Sequence, residues 1–332
     1  MIFKRIDENS FHEWGQFLEE QNCNNVFYSP EFYIATKNSL INKPFAYCLY
    51  DNDKIVALIV GVIQSNFSFP LNLFTTRAII YGQPVAKSSH YLNDLLSGYN
   101  KAIKNRAIYS EIRNLELTNE RTIDLYAKYG FKYQPHLDII IELNAGQEEI
   151  KQRISKNKRR NIVKSTNKGV KLVKIETLSE YEIVIDLISQ TYKRIKLPLP
   201  NRHFFISMFN ELQPSGTLKV FAAKLNNSII AGRIELCYKN IIYDWYAGSN
   251  EHYNSFYAND FIIYNVILWG NANGYSHFDF GGAGKPGIPY GVREHKMKFG
   301  GKLLEYGRFN KTYRPLIYSF AKLGLSFFKL FR

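Results

Sequence analysis

The sequence predicts an α/β (α+β) chain built from two similar units in tandem. Three observations predict it. The 332 residues exceed one small domain. Segments of strand and helix character alternate along the chain, which indicates helices covering a mixed sheet. Pieces of the first half also recur in the second. AYCLYDNDKIVA (46–57) matches VFAAKLNNSIIA (220–231), each being two β-rich runs around a polar turn. AIYSEIRNLEL (107–117) matches NGYSHFDFG (273–281), each a helix end, Tyr-Ser and then a strand.

In the first unit the hairpin leads through Pro70 to a strand at Ala78–Tyr81 and a helix at Ser89–Asn105. A strand at Ile112–Leu117 and a short helix at Arg121–Tyr129 follow, and Gly130 stops that helix. A strand at Leu137–Leu143 closes the unit. The second unit opens with one helix from Gln147 to Lys168, halted by Gly169, and a strand at Val170–Ile175. A helix at Ser179–Ile195 runs to Pro198 and Pro200, which cannot continue it. Next come a helix at Arg202–Leu212, the second hairpin, a strand at Ile241–Tyr246 and a helix at Asn259–Asn271. The resulting division is 1–145, 146–312 and a C-terminal basic amphipathic helix at 313–332.

Composition bounds the function. Hydrophobic residues make up 45 % and aromatics 15 %, enough for large cores. Cys23, Cys48 and Cys237 are too few and too scattered for a disulfide framework or a zinc pattern, so the chain reads as reduced and cytoplasmic. The charged N-terminus lacks the apolar run of an export signal, and no apolar stretch is long enough to span a bilayer. A net charge of +14 favours polyanionic partners: nucleic acid, phosphate-bearing ligands or an anionic membrane face.

The richest segment is YSHFDFGGAGKPGIPYGVREHKMKFGG (275–301). A short aromatic strand carries Asp279 into the turn at Gly281 and Gly282, and a compact segment then holds Lys296 before Phe299. Glycine serves where backbone bends or approaches a ligand closely. Ten basic residues and no acidic one lie between Lys151 and Lys174, either a phosphate- or RNA-binding face or a solvated helix face. Tyr246 ends a strand before small residues, where a phenol reaches a cleft or else completes a core. Tyr192 and Arg194 end a helix; Arg194 either complements the helix dipole or grips a substrate anion. The seven histidines show no metal-ligand spacing, and no P-loop, HExxH or G-x-S-x-G motif occurs. Leu316, Phe320, Leu323, Phe327 and Leu330 form an apolar row among cations, suited to lying on an anionic membrane or to packing on its own domain.

KNKRRNIVKSTNKGVKL (156–172), IIAGRIEL (229–236), YDWYAGS (243–249), FDFGGAGKPGI (278–288) and HKMKFGG (295–301) occur in the order found in the Fem family of peptidoglycan-bridge aminoacyltransferases. The second half resembles that family closely, and the first half resembles it in layout. The resemblance implies two tandem GNAT-like (acetyltransferase-type) domains with mixed sheets flanked by helices. It implies transfer of an amino acid from aminoacyl-tRNA, as co-substrate, to an amine on a nucleotide- or lipid-linked cell-envelope precursor, with no bound cofactor or metal. Lys296 stands at the lysine of the family's F-K-x-x-F-G-G motif, which implies stabilisation of charge on the acyl carbonyl; His295 replaces the usual Phe. The resemblance implies that Tyr246 lines the acceptor channel and that Tyr192 and Arg194 contact phosphate. In the first half Thr36 takes the place of the family's phosphate-contacting lysine, and Lys37 stands one position late. Asp279 is a candidate proton acceptor, with Gly281, Gly282 and Phe299 forming the substrate-binding turn around it. An acyl-CoA-dependent N-acyltransferase of amino-sugars, and a non-catalytic RNA-binding or envelope-associated module, are the rival readings.

Overall fold

The computed structural model describes residues 1–40, 42–65 and 74–320. They divide into two compact units. One comprises residues 1–135 together with the segment from 305 onward, the other residues 136–304.

The first unit begins with β1 (Ile2–Arg5), α1 (Phe11–Glu20) and α2 (Pro30–Asn38). Ser29 caps α2 by accepting from Phe32 N, and Pro30 supplies the pre-bent first turn. β2 (Lys43–Asp51) and β3 (Lys54–Gln64) form the predicted hairpin. Asn52 and Asp53 both take positive φ, as a two-residue turn matched to strand twist requires. β4 (Arg77–Tyr81), β5 (Val85–Ala86), α3 (Ser89–Ile103), β6 (Tyr109–Arg113), α4 (Glu120–Lys128) and β7 (Lys132–Gln134) complete this stretch. β6 lies upstream of the predicted Ile112–Leu117: Ser110 and Ile112 face the core, whereas Leu117 is exposed. Pro70 lies outside the described residues.

The second unit contains β8 (Leu137–Glu142), α5 (Gln147–Arg153), α6 (Lys156–Asn167), β9 (Val170–Ile175), α7 (Leu178–Arg194) and α8 (Arg202–Leu212). It continues with β10 (Leu218–Leu225), β11 (Ser228–Tyr238), β12 (Ile241–Ser249), α9 (Ala258–Ala272), β13 (His277–Gly282), α10 (Gly291–Met297) and β14 (Lys302–Glu305). The chain then adds β15 (Arg308–Thr312) to the first unit. The single helix expected over 147–168 is two helices. Ile154 is extended and buried, Ser155 caps α6, and Ser155 N donates to Lys298 O at 2.9 Å.

The sheets share one plan. The first runs β1-β2-β3-β4-β6-β15-β7 with β5 on β3, and the second, read from its far edge, runs β9-β10-β11-β12-β13-β8-β14. In both, four antiparallel strands precede one parallel pairing, β4 with β6 and β12 with β13. The next strand comes from the other half of the sequence. β8 follows β7 along the chain but pairs with β13 in the second sheet, and β15 follows β14 but pairs with β6 and β7 in the first. The domain boundaries at 145 and 312 are corrected accordingly. The strand at Leu137–Leu143 does not close the first unit, because its edge partner is β13.

In the second unit α7 covers one face of the sheet and α9 the other. A Cβ at Gly232 would fall 2.5 Å from Val184, and one at Gly248 would fall 2.3 Å from Ile188 N, so both glycines let α7 settle against the strands. Phe221, Phe278, Phe280 and Phe299 fill the core against α9. Residues 315–320 are helical, with Leu316 and Phe320 exposed; Leu323, Phe327 and Leu330 lie outside the described residues. Among the described residues no helix is long and apolar enough to cross a membrane.

Candidate active site in the second unit

β12 and β13 pair only over Ile241–Tyr243 and His277–Asp279. Beyond that point β12 continues to Ser249 and β13 to Gly282 without pairing to each other. Polar groups gather around this opening.

Lys296 occupies the last turn of α10. Its Nζ donates to Phe280 O at 2.6 Å and Gly282 O at 3.3 Å. Burial pushes its ammonium down from the ordinary lysine value, and the carboxylates of Asp244, Asp138 and Asp279 pull it back upward. The site therefore holds a half-buried cation whose charge depends on its acidic neighbours.

Asp279 is 3 % exposed, and its Oδ1 accepts from Gly281 N at 2.6 Å. Burial first, and the nearby Asp138 second, drive its carboxyl well above the usual range. Two buried carboxyls side by side cannot both ionise cheaply, which favours the neutral form of Asp279. Gly281 has φ +67°, the conformation that presents its N–H to Asp279.

Across the opening, Arg233 Nη2 donates to Asp244 Oδ1, and both side chains are under 10 % exposed. Arg233 Nε lies 3.4 Å from Glu235 Oε1, close enough for ionic attraction but outside hydrogen-bond geometry. Glu235 is fully buried, and burial followed by the charge of Asp244 pushes its carboxyl upward toward the neutral form.

Tyr192 and Tyr246 meet with ring centroids 5.8 Å apart, and Phe205 packs edge-on against Tyr246 at 5.0 Å. Burial, then Asp244, pushes the Tyr192 phenol up to about 12. Tyr192 and Lys296 thus share Asp244 as an electrostatic neighbour.

The structure brings Lys296, Asp279, Gly281 and Gly282 together, with Tyr192 linked to Lys296 through Asp244 and Tyr246 packed on Tyr192. Phe299 departs from its expected role: it is 1 % exposed, within the core, and packs at a tilt against Phe280 and His295. Arg194 forms an exposed pair with Glu251 at 3.1 Å. Lys37 belongs to the first unit, where it pairs with Glu8 at the surface. The basic run is not uniformly outward. Lys158 is 7 % exposed and bound to Asp260, while Lys151, Arg153 and Lys174 pair with Glu148, Glu149 and Glu176.

Sequence reasoning missed Asp138, Arg233 and Asp244. Their signal was there: Asp138 interrupts the apolar run LDIII, and Arg233 and Glu235 interrupt IIAGRIEL. A charge inside a buried strand needs a partner.

Residues 152–296 match a family model described as "Acetyltransferase (GNAT) domain". No curated protein matches the chain in sequence. Among solved structures, FemX is similar at 13 % identity and TM-score 0.75, with 96 % of this chain and 99 % of FemX covered. L-PGS from Bacillus licheniformis is similar at 13 % identity and TM-score 0.60, with 94 % of each chain covered. A tandem GNAT protein from the clavulanic acid biosynthesis pathway is similar at 8 % identity and TM-score 0.58, covering 94 % of this chain and 98 % of its own. The chain has a tandem GNAT fold of the Fem type.

Proposed function

We propose that this chain is an acyltransferase that moves an aminoacyl group from a charged tRNA to an amine of a cell-envelope precursor. The observation that carries the reading is Lys296, a half-buried cation held by two carbonyl oxygens at the unpaired end of β12 and β13. An ammonium has three hydrogens. Two are directed to Phe280 O and Gly282 O, and the third serves the acyl oxygen as it becomes negative. The amine attacks the ester carbon, a C–N bond forms and the C–O bond to the ribose breaks. One proton leaves the nitrogen and finishes on the departing ribose oxygen.

Asp244 is the carboxylate suited to carry that proton, because Arg233 orients it at the opening. Asp279, its carboxyl raised by burial and by Asp138 and its Oδ1 bonded to Gly281 N, serves as the anchor of the turn. Tyr246 and Tyr192 flank the acceptor amine, and Arg194 would meet phosphate on leaving Glu251. Lys37, in the first unit, is held by Glu8 and is given no part in this site. The resemblance to the Fem family supports a tRNA-borne donor and an envelope acceptor. Leu316 and Phe320 would provide contact with an anionic membrane face.

An acyl-CoA donor is less well served. The β12-to-α9 connection is occupied by a 3₁₀ turn at Glu251–Phe256, and Asp260 stands in the first turn of α9. A diphosphate needs free N–H groups and positive potential there. The test incubates the protein with charged tRNA or acyl-CoA, each against UDP-muropeptide and amino-sugar acceptors, and follows product mass. Transfer from tRNA, lost in Lys296→Ala, is the expected result; transfer from CoA alone overturns the proposed donor.

A further inference from the structure

Lys158 lies in the middle of the basic run yet points inward. Its Nζ is 2.5 Å from Asp260 Oδ1. The same oxygen is 3.1 Å from His295 Nε2, and Asp260 Oδ2 accepts from Asn161 Nδ2 at 3.0 Å. One carboxylate thereby joins α6, α9 and α10. Burial opposes its charge, but the hydrogen bonds from His295, Lys158 and Asn161 outweigh burial and hold it at about 2.

The join matters because of what α10 lacks. This seven-residue helix has no fully buried residue of its own, so apolar packing fixes it weakly. It nevertheless carries Lys296, whose Nζ must sit against two specific carbonyl oxygens. A buried ion pair is a poor source of net stability, since well-packed apolar residues often do as well. What it supplies is direction: Lys158 and Asn161 of α6 fix the Asp260 carboxylate, and His295, the one contact from α10, is aimed at that fixed oxygen. His295 adjoins Lys296 in sequence, and its ring also rests on Phe299, over which the Lys158 cation is placed at 5.3 Å.

We infer that Asp260, Lys158 and His295 are positioning residues whose shared hydrogen bonds set the orientation of α10 and thereby place Lys296 Nζ at the unpaired end of β12 and β13. The inference rests on the role proposed for Lys296.

The experiment compares His295→Leu, which keeps bulk but removes the donor, with His295→Gln, which restores an N–H. Competitive acetylation of the folded protein across a pH series, read by mass spectrometry at Lys296, reports how buried its amine is. His295→Leu is expected to move the Lys296 titration midpoint upward toward the ordinary lysine value, as a loosened α10 admits water. His295→Gln is expected to stay near wild type. In the transfer assay His295→Leu lowers kcat roughly 10- to 100-fold with KM little changed, the size of effect a misplacement near 1 Å produces. A Lys296 titration in His295→Leu identical to wild type overturns the inference, whatever happens to activity. Lys158→Met provides the same readout from the other arm. If no donor supports transfer, the proposed reaction fails, but the titration still decides the positioning role.

Discussion

Asp279 Oδ1 accepts a hydrogen bond from Gly281 N at 2.6 Å, and this bond makes the acid part of the turn it begins. The carboxyl is raised by burial and by Asp138. A folded pKa above the unfolded one contributes stability that is present below about 4 and is lost as pH rises through the folded value. Asp279→Asn mimics the protonated acid, so it is expected to retain turnover within a few-fold and to flatten this part of the stability curve. Asp279→Ala leaves Gly281 N and Asp138 short of a partner and should cost about 1–3 kcal/mol. Urea melts across the pH range, with transfer rates alongside, check both. A Asn variant with turnover reduced by several orders of magnitude would restore Asp279 as the proton acceptor.

Lys296 has the opposite linkage. Its folded pKa lies below the ordinary lysine value, so stability rises with pH between the two. Lys296→Met should remove that rise while leaving the fold intact, and should lower the rate roughly 100- to 1000-fold. Thermal melts at neutral and alkaline pH, paired with initial rates, separate the two effects. Activity near wild type removes Lys296 from the mechanism.

Asp260 supports the acid side. Its carboxyl is held at about 2, against an ordinary value near 4. The difference corresponds to about 2 kcal/mol that is present above pH 4 and lost as pH falls through 2. Asp260→Asn also strands the buried Lys158 ammonium, for a total loss of about 3–5 kcal/mol at neutral pH. Acid titration followed by near-UV circular dichroism should show unfolding shifted to higher pH.

Gly248 permits the close approach of α7 to β12. A methyl group there would lie 2.3 Å from Ile188 N and 2.4 Å from its Cα, backbone atoms that cannot step aside. Gly248→Ala is expected to destabilise by at least about 1–3 kcal/mol, as overpacking does, and to disturb Tyr192 and Tyr246. A melting temperature equal to wild type would mean that the helix can shift freely.

Arg194 and Glu251 form a pair exposed on both sides. Such pairs contribute about 0–1 kcal/mol, so Arg194→Ala should leave stability almost unchanged. If Arg194 turns to an anionic substrate, KM rises about tenfold while kcat holds. An unchanged KM confines Arg194 to the surface pair.

Local sequence carried most of the elements. The turns at Asn52-Asp53 and Asn226-Asn227 need residues that tolerate positive φ, and Asn52, Asp53 and Asn226 adopt it. The helices α3, α7, α8 and α9 follow apolar periodicity within a residue or two of their predicted bounds, and the glycine-rich segment with Lys296 stood out by composition alone. These features depend on neighbours a few residues away, so one reading of the chain reveals them.

What tertiary structure decided was pairing across long separations. Nothing local to Leu137–Glu142 says that β8 joins β13, or that β15 joins β6, since both strands would satisfy their hydrogen bonds in either sheet. Lys158 reads as one more cation of a basic run until Asp260, 102 positions later, gives it a buried partner. Asp244 and Asp138 enter the site only because the strands separate where Lys296 arrives. The sequence by itself determined the doubled α/β plan and the lysine at its centre. The fold decided which carboxylates surround that lysine, because the charge of a buried group depends on what lies beside it in space.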